Sequence, residues 1–102
     1  MKKIIDGKVY NTETAKSLAT YQYGTSNDFR YYCEELFVTS KGNYFLYGEG
    51  GPASRYAVTC SGSSSGGRDI TALTRQEAFA WCQEHNRVAT IEKVFSDMME
   101  EA

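Results

Sequence analysis

The sequence lacks a long apolar run, and we expect no signal peptide. No stretch approaches the roughly 20 apolar residues that a membrane-spanning helix needs. Two lysines follow the first methionine, but no apolar segment comes after them to act as a secretion signal. The charged fraction of 24% and the hydrophobic fraction of 41% are ordinary for a globular protein. We therefore expect one domain, residues 1–102, in the cytoplasm and without a membrane partner.

An excess of charge of one sign is also lacking. Thirteen acids and eleven bases give a net charge of −2, which argues against a dedicated nucleic-acid-binding protein. From residue 77 onward, however, six acids face only two bases. This distribution is typical of a solvated helix face, or of a surface that meets a basic partner. The candidate partner-binding acids are Glu84, Glu92, Asp97, Glu100 and Glu101.

Soft metal ligands are few: Cys33, Cys60, Cys82 and His85. Cys82 and His85 are three residues apart, so on a helix they share one face and can chelate one ion. With Cys33 and Cys60 they would complete a Cys3His set, which is typical of structural zinc. We therefore expect a structural zinc ion. Buried free thiols or a disulfide are the alternatives that stay open.

Aromatic residues are plentiful, above all in residues 29–51, FRYYCEELFVTSKGNYFLYGEGG. Aromatic and β-branched residues favour strands, and Lys-Gly-Asn favours a tight turn, so this segment predicts a hairpin. With Lys41 and Gly42 as the two turn residues, Val38 would lie opposite Phe45. Tyrosine is enriched at protein interfaces, so Tyr31 and Tyr47 are candidate partner contacts, although the rim of the core would also suit them.

The flanking segments predict smaller elements. Asp6-Gly7 favours a small hairpin at residues 4–10. Asn11 or Thr12 can cap a short helix that runs to residue 20. Residues 55–60 are typical of a third long strand, and the Ser- and Gly-rich residues 61–67 of a flexible loop.

Two helices are predicted at the C-terminal end. Thr74 and Glu77 can form a capping box at the start of a helix that runs to about His85. A second helix is predicted from helical spacing of Val88, Ile91, Val94, Phe95 and Met98. The expected fold class is α+β: a small antiparallel sheet built on the central aromatic hairpin, packed against a short N-terminal helix and these two C-terminal helices.

No arrangement typical of an enzyme is found. Cys82 and His85 lack an orienting third group and an oxyanion hole. Glu34 and Glu35 are neighbours on a strand and point to opposite faces, so they are no catalytic pair. Pro52, rather than a helix, follows the glycines at residues 48–51, which excludes a phosphate loop. We expect a non-enzymatic protein with no catalytic residues.

Four segments together resemble a known family: KKIIDGKVYNTETAK at residues 2–16, YCEELF at 32–37, NYFLYGEGG at 43–51 and TALTRQEA at 71–78. The chain is similar in these segments to short proteins encoded on phages and mobile elements of Gram-positive bacteria. Some members are anti-CRISPR proteins that inhibit the type II RNA-guided DNA nuclease. The resemblance supplies no catalytic residues.

The resemblance implies a non-enzymatic anti-CRISPR protein that works in the cytoplasm of the host bacterial cell. Its expected partner is a protein lobe of the type II nuclease, and the expected effect is to block loading of target DNA. Such a nuclease presents a basic channel, which acidic side chains can occupy. The alternative is a mobile-element accessory module that binds another protein, or that binds DNA weakly through Lys2, Lys3 and Lys8. Strong binding to nucleic acid is not expected.

Overall fold

The fold contains eight β-strands and two α-helices. The computed structural model describes residues 1–102, with 42% of the chain in strands and 20% in helices. The helices are α1 (Arg75–Glu84) and α2 (Val88–Val94), and a 3₁₀ turn follows at Ser96–Met98. The strands are β1 (Lys2–Ile5), β2 (Lys8–Asn11), β3 (Lys16–Tyr23), β4 (Tyr32–Val38), β5 (Tyr44–Gly50), β6 (Val58–Cys60), β7 (Ser63–Ser65) and β8 (Gly67–Leu73).

A four-stranded antiparallel sheet in the order β3-β4-β5-β8 forms the centre of the molecule. Strands β4 and β5 are the predicted central hairpin, which is confirmed. Its predicted register is wrong by one residue, because Val38 pairs with Tyr44 rather than Phe45, and Leu36 pairs with Leu46. Since successive residues of a strand face opposite sides, Val38 and Phe45 lie on opposite faces of the sheet.

The register shift comes from the loop between β4 and β5. The amide of Thr39 donates to the carbonyl of Asn43 at 2.9 Å, and the amide of Gly42 donates to the carbonyl of Thr39, also at 2.9 Å. Gly42 has φ +83°, which glycine adopts without strain. The connection therefore spans residues 39–43 instead of the two-residue turn that the Lys-Gly-Asn sequence predicted.

The predicted N-terminal helix is wrong. Asn11 does organise one turn, since its Oδ1 accepts from the Glu13 amide at 2.9 Å and its carbonyl accepts from the Ala15 amide at 3.0 Å. The chain then enters β3, which pairs with β4 along its length with a bulge between Ser17 and Ala19. Pairing with β4 outweighs the weak helix propensity of this short segment.

The predicted pair of C-terminal helices also does not fit as it was drawn. The capping box between Thr74 and Glu77 is present, and α1 begins there. Helix α2 is only seven residues long and ends at Val94, so Phe95 and Met98 lie outside it. Arg75 Nη2 donates to the Val94 carbonyl at 3.0 Å. The Arg75 guanidinium thus satisfies a backbone carbonyl at the C-terminal end of α2, and the chain continues into the 3₁₀ turn.

The segment after residue 52 differs from its prediction as well. Only Val58–Cys60 forms a strand, and it pairs with Ser63–Ser65 in a separate two-stranded hairpin. Ser61 and Gly62 turn this hairpin with φ of +50° and +80°. The fourth strand of the main sheet is β8 instead, so part of the predicted flexible loop at residues 61–67 is strand.

Two hydrophobic clusters cover the two faces of the sheet. The cluster under the helices contains Leu36, Leu46, Ala78, Trp81, Cys82, Ile91 and Phe95. The cluster under the predicted and confirmed β1–β2 hairpin contains Tyr10, Phe37, Phe45 and Ile70. Neither helix has the length and the apolar composition needed to cross a lipid bilayer.

Candidate functional site

Glu34 is the one buried charged residue, 2% exposed in the middle of β4. Trp81 Nε1 donates to its Oε1 at 3.0 Å, and the Tyr56 hydroxyl donates to its Oε2. Arg55 Nη1 lies 3.3 Å from the same Oε2. One carboxylate therefore ties together β4, helix α1 and the segment that precedes β6.

A glycine beside Glu34 leaves space for the Tyr56 ring. Gly48 pairs with Glu34 across the hairpin, and a Cβ at Gly48 would overlap the Tyr56 ring. Burial, and then the hydrogen bond to Glu34, raises the pKa of Tyr56, so its phenol stays a neutral donor. We assign Glu34 a structural role, because a substrate could not reach it.

His85 lies next to Glu34 and Trp81. Its ring stacks on Tyr21 with centroids 3.9 Å apart and meets Trp81 edge-on at 4.8 Å. His85 Nε2 lies 3.9 Å from Glu34 Oε1, and the side chain is 9% exposed. The imidazole therefore faces aromatic rings and a carboxylate.

The four predicted zinc ligands occupy different parts of the fold. Cys82 is buried in the cluster under the helices, and Cys60 is exposed on β6. Cys33 precedes Glu34 on β4 and so faces the opposite side of the sheet from Glu34 and α1. No three His, Cys, Asp or Glu side chains are grouped so that they could hold one metal ion. Zinc binding stays a prediction for elemental analysis.

The predicted acidic partner residues do not all have free carboxylates. Glu84, Glu92, Glu100 and Glu101 are exposed. Asp97 is held by Arg75, whose Nη1 and Nη2 lie 2.8 and 2.7 Å from its two oxygens. The guanidinium lowers the pKa of Asp97, as expected for a carboxylate in a bidentate pair.

The β1–β2 hairpin covers the end of the sheet face opposite the helices that carries Phe37, Phe45 and Ile70. Tyr47 packs partly against this covered cluster and borders the half-exposed remainder of the face. We call this remainder, with Tyr47 at its edge, the open face and define it by Cys33, Glu35, Tyr47, Glu49 and Arg68, which lie in register on three neighbouring strands. The first four are only half-buried although they lie within strands, and Arg68 is exposed.

The open face carries two acids, Glu35 and Glu49, and one base, Arg68, which lies directly opposite Glu49. The Tyr47 hydroxyl donates to Glu49 Oε2 at 2.9 Å. Burial, followed by the charges of Glu49, Glu35 and Glu34, raises the pKa of the Cys33 thiol. Tyr31 extends the face beyond the start of β4, where it lines a shallow surface depression with Glu49, Arg68 and four glycines. Tyr31 and Tyr47, both predicted as partner contacts, therefore share one surface.

Comparison with known proteins adds no relative: no family model, no curated protein and no solved structure matches this chain.

Glu35 and Glu49 were not among the residues predicted for this surface. The signal was present in CEELFV and YFLYGEG, where the side chains alternate between two faces. The predicted opposite orientation of Glu34 and Glu35 is confirmed, since Glu34 contacts α1 and Glu35 accepts from the Ser17 hydroxyl at 2.6 Å. With the register off by one, Glu35 and Tyr47 were not paired. The correct register places them directly opposite each other.

Proposed function

We propose that the protein is a non-enzymatic anti-CRISPR that binds a protein lobe of the type II RNA-guided DNA nuclease and blocks loading of target DNA. It would act in the cytoplasm of the host bacterial cell. The resemblance in four sequence segments supports the choice of partner. The open face supports the mode of action, because it offers tyrosine surface and carboxylates to a basic protein surface.

The open face is the single observation that carries the proposal. Tyr31 and Tyr47 can contribute large contact area with few rotatable bonds, which is how tyrosine acts at binding hot spots. Glu35 and Glu49 are each bound by one hydroxyl, which leaves carboxylate lone pairs for a lysine or arginine of the partner. A nuclease that holds a heteroduplex must present such basic side chains in its channel.

The test measures the rate at which the protein associates with immobilised guide-loaded nuclease, and the extent to which it inhibits cleavage of target DNA. One variant carries Glu35→Lys and Glu49→Lys on the open face. Its matched control carries Glu92→Lys and Glu100→Lys, which make the same change in net charge among the predicted acidic residues of the C-terminal segment. Melting temperatures of both variants establish that each is folded.

We expect the open-face variant to associate at least about tenfold more slowly, because a repulsive charge opposes docking to a basic surface. The control variant should retain binding. Loss confined to the control would move the interface to Glu84, Glu92, Glu100 and Glu101. Absence of binding by the unmodified protein would overturn the anti-CRISPR proposal and leave the accessory-module alternative.

A further inference from the structure

A second cleft lies away from the open face, between the β1–β2 hairpin and the β4–β5 loop. Its volume is about 460 Å³, within the range of about 300–1,000 Å³ that small-molecule sites occupy. Val9, Tyr10 and Ala15 supply its apolar lining. Its polar lining consists of Lys8, Thr14, Thr39, Ser40, Lys41 and Asn43.

The polar lining is rich in hydrogen-bond donors and contains no acid. Thr39 Oγ1 accepts from the Asn43 amide at 3.1 Å, which leaves the hydroxyl proton of Thr39 free to donate. The Ser40 hydroxyl and the Asn43 side-chain amide form no hydrogen bond within the chain. Two lysines and these uncharged donors therefore line one cleft.

Neither lysine of the cleft is paired with a carboxylate of the chain. Lys3, on the neighbouring strand, pairs with Asp69 at 2.7 Å. Lys8 and Lys41 belong to none of the four ion pairs of the chain, because neither ammonium nitrogen lies within 4.0 Å of a carboxylate oxygen. Two unpaired cations in one concave site raise the potential there, and an anion would relieve their mutual repulsion.

We propose that this cleft binds the phosphate groups of a ligand, with Lys8 and Lys41 as the two charged contacts and the hydroxyls of Thr39 and Ser40 as neutral donors. Phosphate oxygens are acceptors only, so they suit a lining of donors without carboxylates. The phosphate can come from a free nucleotide or from the backbone of a nucleic acid. The test must separate these two sources.

The experiment follows amide chemical shifts of the complete, tag-free chain during titration at constant ionic strength. The probes are sodium pyrophosphate, ATP, a short oligothymidylate and adenosine, which carries no phosphate. One variant carries Lys8→Gln and Lys41→Gln. Its matched control carries Lys2→Gln and Lys93→Gln, which remove the same charge from exposed positions outside the cleft.

We expect pyrophosphate and ATP to shift the amides of residues 7–10 and 39–43. The cleft variant should bind at least about tenfold more weakly, since hydrogen bonds to charged groups are the stronger ones, while the control should bind like the parent protein. Shifts produced by the oligothymidylate alone would support the phosphate site and assign its source to nucleic acid. Equal weakening in both variants, no shift at millimolar probe, or equal binding of adenosine would each overturn the proposal.

Discussion

Replacing Glu34 with alanine should destabilise the fold far more than the same change at its neighbour Glu35. The Glu34→Ala change leaves the Trp81 indole N–H and the Tyr56 hydroxyl without an acceptor, and both residues are under 10% exposed. Each unsatisfied buried donor costs about 1–3 kcal/mol. Arg55 adds little, because its side chain is 62% exposed and its ion pair is screened by solvent. We expect a total loss of about 3–5 kcal/mol.

Glu35 provides the matched control. It lies on the same strand with the same side chain, but it is half-exposed and its one side-chain hydrogen bond comes from Ser17. Glu35→Ala should cost less than about 1 kcal/mol. The assay is urea unfolding at pH 7, followed by far-ultraviolet circular dichroism, with the fluorescence of Trp81 as a second probe of the same transition.

A further variant separates lost hydrogen bonds from lost packing. Glu34→Met with Tyr56→Phe keeps much of the volume and removes the unsatisfied hydroxyl, so it should recover part of the loss. If Glu34→Ala costs no more than Glu35→Ala, the buried carboxylate does not hold the three segments together. The structural role assigned to it would then be wrong.

Three further predictions follow from burial and charge. Phe45→Ala should cost about 3–5 kcal/mol in urea unfolding, because Phe45 is fully buried between Tyr10 and Phe37, and a cost below about 1 kcal/mol would contradict this placement. The free energy of unfolding should fall as pH rises above about 10, because the unfolded chain loses the Tyr56 proton near the ordinary tyrosine pKa while the folded chain keeps it. Tyr56→Phe should lessen that fall, and an identical pH profile would exclude Tyr56 as a cause. A thiol reagent should label exposed Cys60 first, half-buried Cys33 more slowly and buried Cys82 only on unfolding. If all three thiols are instead protected and elemental analysis finds about one zinc per chain, the Cys3His prediction is supported.

Local turn and capping chemistry made parts of the fold predictable from sequence. Asp6 and Gly7 both have positive φ, as the Asp-Gly turn requires, and the β1–β2 hairpin follows. The Thr74–Glu77 capping box depends only on a spacing of three residues, and it marks the start of α1 correctly. In both cases the residues that decide the structure are close in sequence.

Elements that depend on distant partners could not be predicted in the same way. Residues 16–23 contain Leu18 and Ala19, which suit a helix, and only pairing with β4 makes them a strand. The Gly-rich start of β8 gave no strand signal, yet Gly67 pairs with Gly50 of β5. There the backbone passes so close to Tyr56 that a Cβ at Gly67 would clash with its carbonyl.

The candidate surface depended on register, and this explains why composition alone gave an incomplete view of it. Acids and tyrosines can be counted in a sequence, but their faces follow from strand pairing. Glu34 and Glu35 show the consequence most clearly, because one residue of separation sends one carboxylate into the core and the other to the open face. Tyr47, opposite Glu35 on β5, shares that face, whereas the predicted acids Glu84 and Glu92 lie on the helices, which pack against the other face. A partner that uses one flat surface would therefore meet either the tyrosines or the helix acids, and the paired charge-reversal variants decide which of the two it meets.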